Sequence, residues 1–132
     1  MPLPDEELQT LERLELTYTV QEEAGLTCIV ITGFRLPAGM TVVESDLLIR
    51  LNPGFPDVPP DMWWFDPPVM RTDQVIIPQT DHFEQHVGRR WQRWSRHLEV
   101  GHWQSGIDCL ESFIAMIRRE LQRQAPAVAA CA

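Results

Sequence analysis

Gly54-Phe-Pro-Asp-Val-Pro-Pro60 holds three of the six prolines crowded between Asn52 and Pro68. Proline fixes φ and offers no backbone N–H, so a run this dense interrupts any sheet it enters. Only Met62-Trp-Trp-Phe65 remains free to pair, as a short edge strand. Upstream, Leu16-Thr-Tyr-Thr-Val20, Leu26 to Phe34 and Thr41 to Leu51 are rich in β-branched and aromatic residues. Glu22-Glu-Ala-Gly25 and Pro37-Ala-Gly39 separate them as turns, which is the pattern of an antiparallel meander of about four strands once residues 62–65 are added. Residues 5–14 read as a helix, with Asp5, Glu6 and Glu7 at its positive end and Leu8, Leu11 and Leu14 on one face. Downstream, Arg71 to Gly101 reads as mostly irregular. Ser105 and Asp108 then resemble a capping box ahead of Ile107, Leu110, Ile114, Ile117 and Leu121, an amphipathic helix. The fold class is α+β: one domain over 1–124, with 125–132 expected as a disordered tail.

The composition narrows the function. The chain has 132 residues, 44% of them hydrophobic, with a net charge of −8. All eleven basic residues are arginine, and all four histidines lie between 82 and 102. Over 82–103 four arginines against Glu84 and Glu99 leave +2, so the remainder carries −10. An acidic surface of that size repels phosphate backbones and anionic membranes, which argues against a nucleic acid or a membrane as partner. No apolar run approaches the roughly 18 residues of a membrane span, and the amino-terminal residues have no secretory pattern, so the expected location is the cytoplasm. Cys28, Cys109 and Cys131 are odd in number and contain no CxxC pair, which suits reduced thiols. Cys109 and Cys28 read as core residues, and Trp63 or Trp64 as the anchor of the proline-rich turn.

Phe55, Pro56, Pro59 and Pro60, followed by an irregular segment, Trp103 and a long helix, resemble the ubiquitin-conjugating-enzyme (UBC-like) superfamily over nearly the whole chain. The segment Arg90-Trp-Gln-Arg-Trp-Ser-Arg-His97 is similar to a divergent bacterial group of such proteins. The resemblance implies a UBC-like fold and a transferase that works with a ubiquitin-like protein, an adenylating activating enzyme and a deubiquitinase-like peptidase. It also places the catalytic cysteine eight residues before the tryptophan; here that position is Ser95. The family's His-Pro-Asn is replaced by Glu84-Gln-His-Val-Gly88, and an insertion is implied around 66–80.

On this resemblance Ser95 is the candidate nucleophile, forming an oxyester where relatives form a thioester. A serine hydroxyl needs a neighbouring base. His97 is the candidate, with His86 or His82 near the oxyanion. Arg96, Arg93 and Trp94 are candidates for holding the incoming tail, and Glu6, Glu7 and Leu11 for docking the activating enzyme. No cofactor is called for. Two alternatives stand beside this one. The first is an inactive adaptor of the same fold. The second is a zinc hydrolase built on His82-x3-His86, one helical turn apart, with His97 and His102.

Overall fold

The structure, a computed structural model, describes residues 3–60, 62–96 and 103–127. Helix α1 (Asp5–Arg13) leads into strands β1 (Thr17–Glu23), β2 (Leu26–Arg35), β3 (Glu44–Leu51) and β4 (Met62–Asp66). Strands β5 (His82–His86) and β6 (Arg89–Ser95) follow, and helix α2 (Leu110–Gln124) comes last. The architecture is α+β, with a six-stranded antiparallel sheet in the order β1-β2-β3-β4-β6-β5.

Two expectations are corrected here. The segment 71–101 is not mostly irregular, because 82–95 is a hairpin. Its turn is Val87-Gly88, with φ of 44° and 76°, the left-handed pair that matches the twist of two-residue hairpins. Nor is β4 an edge strand. It lies between β3 and β6, because the prolines flank its five residues and none occupies them.

Alternation gives the sheet two apolar faces. On one face Ile29, Ile31, Leu47, Ile49, Trp63, Phe65 and Trp94 form one core with Leu11 of α1 and Phe113, Ile114 and Ile117 of α2. On the other, Cys28, Val30, Leu48, Trp64 and Trp91 form a smaller cluster. No helix covers this second face among the described residues. Instead the sheet curls over it: Glu23, at the end of β1, accepts a hydrogen bond from the Val87 N–H at 2.7 Å, although β1 and β5 are opposite edges.

Helix α2 starts five residues later than Ser105. Cys109 precedes its first turn, and the Ser112 hydroxyl accepts from the Cys109 N–H at 2.8 Å. Asp108 closes a separate turn by accepting from the Gln104 N–H, and Ile107 is 73% exposed. The donor at the helix start, Leu110 N–H, goes to the Glu7 carboxylate at 2.8 Å. That places an acidic group of α1 at the positive end of α2. Cys109 is therefore half-buried at a helix start, while Cys28 is fully buried in β2 as expected. Trp103, and neither Trp63 nor Trp64, holds the proline-rich turn. Its indole N–H donates to the Pro56 carbonyl at 2.7 Å, and its ring packs against Phe55 and Phe113. Ser105 adds a hydrogen bond to Asp57. Pro59 and Pro60 end this turn ahead of β4.

Gln92 joins the segment after β4 to β6. Its buried amide accepts from the Val69 N–H at 2.8 Å and the Trp94 indole at 3.1 Å, and donates to the Val69 carbonyl at 3.1 Å. Replacing it strands several buried polar groups, each costing about 1–3 kcal/mol. Gln92→Leu should lower unfolding stability by about 3 kcal/mol, against under about 0.5 kcal/mol for exposed Gln85→Leu. Urea midpoints with unchanged slope will show this.

Candidate active site

Alternate residues of a strand share a face, so the hairpin sorts the candidate residues. Ser95, Arg93, His82, Glu84 and His86 fall on the face of the small cluster, and Trp94 falls on the main core face. Ser95 is the last residue of β6 and pairs with Met62. Its N–H donates to the Gln79 carbonyl at 3.1 Å, and its carbonyl accepts from Arg96 at 2.8 Å. The backbone is held at both polar groups, and the side chain is half-buried at the end of the strand.

The hub of this face is Glu84. Its carboxylate accepts from the Trp64 indole at 3.0 Å, from His86 Nε2 at 2.9 Å and from Arg93 at 2.8 Å, with His82 Nε2 3.6 Å away. Burial pushes the Glu84 pKa up, but the bonds from His86 and Trp64 and the Arg93 charge outweigh it and hold the group below its ordinary value. His86 is packed edge-on to Trp64 and has Glu23 3.7 Å from its other nitrogen.

The expected grouping of histidines around Ser95 is only partly present. His86 pairs with Arg89, six residues from Ser95, which is about 20 Å along a strand at ~3.3 Å per residue. It cannot serve an oxyanion at Ser95. His82 pairs with Arg93 and so lies diagonal to Ser95, at about 7–8 Å, with its ring turned toward Glu84. His97 and His102 lie outside the described residues. Among the described residues no base is within hydrogen-bond distance of the Ser95 hydroxyl. The proposed zinc pair is also separated. Four residues on a strand span about 13 Å, against the single helical turn that a shared ion needs. Among the described residues no group of three or more His, Cys, Asp or Glu side chains is arranged to hold a metal ion.

The tail-binding candidates divide in the same way. Trp94 is fully buried, stacked on Trp63 with centroids 6.1 Å apart, and no incoming chain can touch it. Arg96 is occupied by Glu120 at 2.7 Å and the Pro78 carbonyl at 3.0 Å, and lies over the Trp94 ring. Arg93 shares the face of Ser95 and is paired to Glu84. In α1, Leu11 is core and Glu7 caps α2, so only Glu6 of the three docking candidates is exposed. Burial raises the Glu7 pKa, opposed by its bond from Leu110.

Ser95 thus ends a sheet strand, and Phe55, Pro56 and Trp103 form one anchored turn. The chain belongs to prokaryotic E2 family E, whose family model matches residues 3–124. Membership of this bacterial UBC-like group ties it to ubiquitin-like conjugation, with a ubiquitin-like protein and an activating enzyme as general partners. No curated protein and no solved structure matches the chain. Among the described residues no helix is long and apolar enough to cross a membrane.

Because the Glu84 pKa is depressed in the folded chain, its contribution to stability is complete above the unfolded value, about 4.3, and is lost as pH falls through the folded value. Glu84→Gln should cost about 1.5–3 kcal/mol at pH 7. The gap to the parent chain should narrow as pH falls below the unfolded value, in pH-dependent thermal melts.

Proposed function

We propose that the protein is the carrier of a bacterial ubiquitin-like conjugation pathway, a transferase that takes the C-terminus of a ubiquitin-like protein as an oxyester on Ser95. The observation that carries this reading is the position of Ser95 within a chain of the E2 family. It ends a sheet strand, with its backbone tied at both polar groups, eight residues before the tryptophan that grips Pro56. Ser95 Oγ attacks the activated carbonyl of the carried C-terminus. The Oγ–C bond forms, the bond to the adenylate or thioester leaving group breaks, and the Ser95 proton passes to a base. His97 is the base in this reading, with His82 the nearest described imidazole. The carried acyl group then passes to a target amine or hydroxyl, and a deubiquitinase-like peptidase would reverse the final bond. The setting is cytoplasmic.

The absence of a base beside Ser95 among the described residues favours a second reading, an adaptor of the same family that binds these partners without forming an ester. One assay separates the two. Incubated with activating enzyme, ATP and the ubiquitin-like protein, the chain should form an adduct that resists thiols and is cleaved by hydroxylamine. Ser95→Ala should abolish it, and Ser95→Cys should convert it to a thiol-sensitive adduct. An adduct that survives Ser95→Ala overturns the assignment, and tight partner binding with no adduct selects the adaptor.

A further inference from the structure

The outer side of α2 carries positive charge that the molecule leaves unpaired. Arg118 and Arg119 are adjacent there, Arg123 follows one turn after Arg119, and Arg35 stands at the end of β2. All four are exposed. Among the described residues Arg35, Arg118 and Arg119 have no ion pair, although the chain holds 19 Asp and Glu residues. Arg123 is paired with Glu120, but its side chain is 76% exposed and part of its fork faces solvent. The arginines that brace the fold are arranged differently. Arg13, Arg71, Arg89, Arg93 and Arg96 each lie within 3.0 Å of a carboxylate.

Two of the unpaired guanidiniums share a cavity. Arg35 and Arg118 line a cup of about 230 Å³ between the end of β2 and α2, with Leu36, Pro37, Leu121 and Gln122 as the rest of its wall. No carboxylate lines it. Phe34, buried beneath α2, has its ring centroid 4.6 Å from Arg118 Cζ. A guanidinium resting on an aromatic face keeps its in-plane N–H donors for another acceptor and loses little further freedom when it meets one. Two such forks against apolar walls suit a carboxylate held bidentately, with an apolar group beside it. Arg119 and Arg123, about 5–6 Å apart at Cβ and next to Met116, form a second carboxylate position along the same helix.

Charge and extent select the occupant. From Arg118 to Arg123 the helix rises about 7.5 Å, and side chains two apart on an extended chain are about 6.6 Å apart, so two carboxylates of one short segment match the patch. A nucleic acid, with a duplex charge every ~1.7 Å, runs on past it. Along α2 it then meets Glu111 and, through the Arg13 contact, the exposed Asp5, Glu6 and Glu12 of α1, which repel it. We propose that the Arg35–Arg118 cup and the Arg119–Arg123 pair dock an extended acidic segment of a partner protein, with two carboxylates and an apolar side chain at alternate positions. The surface is clear of both ends of the carrier reading. Strand β2 is three strand spacings, about 14 Å, from β6 and Ser95, and Arg118 is about 10 Å along α2 from the Arg13–Glu111 contact with α1. A partner held here therefore leaves Ser95 and Glu6 uncovered, and its docking goes beyond that reading without depending on an ester.

The probe is a synthetic pentapeptide blocked at both ends, Glu-Ser-Glu-Ser-Leu, titrated into the full chain at low salt and followed by NMR of the backbone amides and the arginine Nε–H groups. Shifts should be confined to residues 34–37 and 116–123, and the same peptide with glutamine for glutamate should produce none. Arg35→Gln and Arg118→Gln should each weaken binding about fivefold or more, and Arg118→Lys, which keeps the charge and loses the fork, about threefold. Arg90→Gln changes the net charge equally at an exposed position on β6 and should leave the affinity unchanged. The substituted side chains are all exposed, and an otherwise unaltered spectrum shows that each variant is folded. Failure of the acidic peptide to bind, parental affinity in both Arg35→Gln and Arg118→Gln, or an equal loss in Arg90→Gln overturns the proposal. So does inorganic phosphate or a single-stranded oligonucleotide that shifts the same groups at a lower concentration than the peptide. The readout is peptide binding, so the absence of an adduct on Ser95 removes the carrier reading alone, and an adduct without peptide binding removes the docking surface alone.

Discussion

Trp63 stacked on Trp94 across the β4–β6 ladder is the contact on which the rest of the molecule depends. Both rings are fully buried, and each meets a further aromatic ring, Phe113 for Trp63 and Phe65 for Trp94. Such pairs add about 0.5–1.5 kcal/mol each beyond the area they bury. Their larger effect is topological. By drawing β6 against β4 they bring the 82–95 hairpin into a sheet that would otherwise end at β4. The same register buries Gln92 where it can clamp Val69, and leaves Ser95 at the end of a strand held on both sides. Arg96 continues the arrangement, carrying the chain from the sheet to Glu120 of α2.

Three of the four arginines between 89 and 96 are paired inside the molecule, Arg89 with both Asp46 and Asp66, Arg93 with Glu84 and Arg96 with Glu120, while exposed Arg90 lies over the Phe83 ring. These sites also give arginine a structural reason that lysine does not share. Arg89 and Arg96 each use several donors of a planar fork at once, and Arg96 lies on an aromatic face. A lysine ammonium would meet only part of such a set.

Much of the fold was legible because it is local. The meander, the α2 stripe from Leu110 to Leu121 and the turn of Phe55 to Pro60 follow from side-chain period and proline chemistry, and the structure contains all three. The hairpin was missed for a physical reason. His82-Phe-Glu-Gln-His86 and Arg89-Arg-Trp-Gln-Arg-Trp94 do alternate, but both faces of β6 are lined by tryptophan and arginine, so the usual contrast between an apolar and a polar side is absent. The Val87-Gly88 turn and the two-residue spacing of His82, Glu84 and His86 were the available signals, and the latter would have shown Glu84 as the hub. Glu7 reads from the sequence as a docking carboxylate because nothing local shows that a helix a hundred residues away needs a cap at its first N–H.

The placement of Ser95 constrains its chemistry. Its N–H and carbonyl are taken by Gln79 and Arg96, so only the hydroxyl is available to a reaction. A hydroxyl reacts with an acyl group at a useful rate only when a base accepts its proton. The two described histidines are both turned to Glu84, whose depressed pKa keeps it an acceptor that retains them. On the proposed carrier reading, neither described imidazole is free to take the Ser95 proton, so it passes to His97 or to a group that arrives with a partner. In the last case the free chain would be inert, and loading would require the assembled complex, because the missing base would then come from the partner.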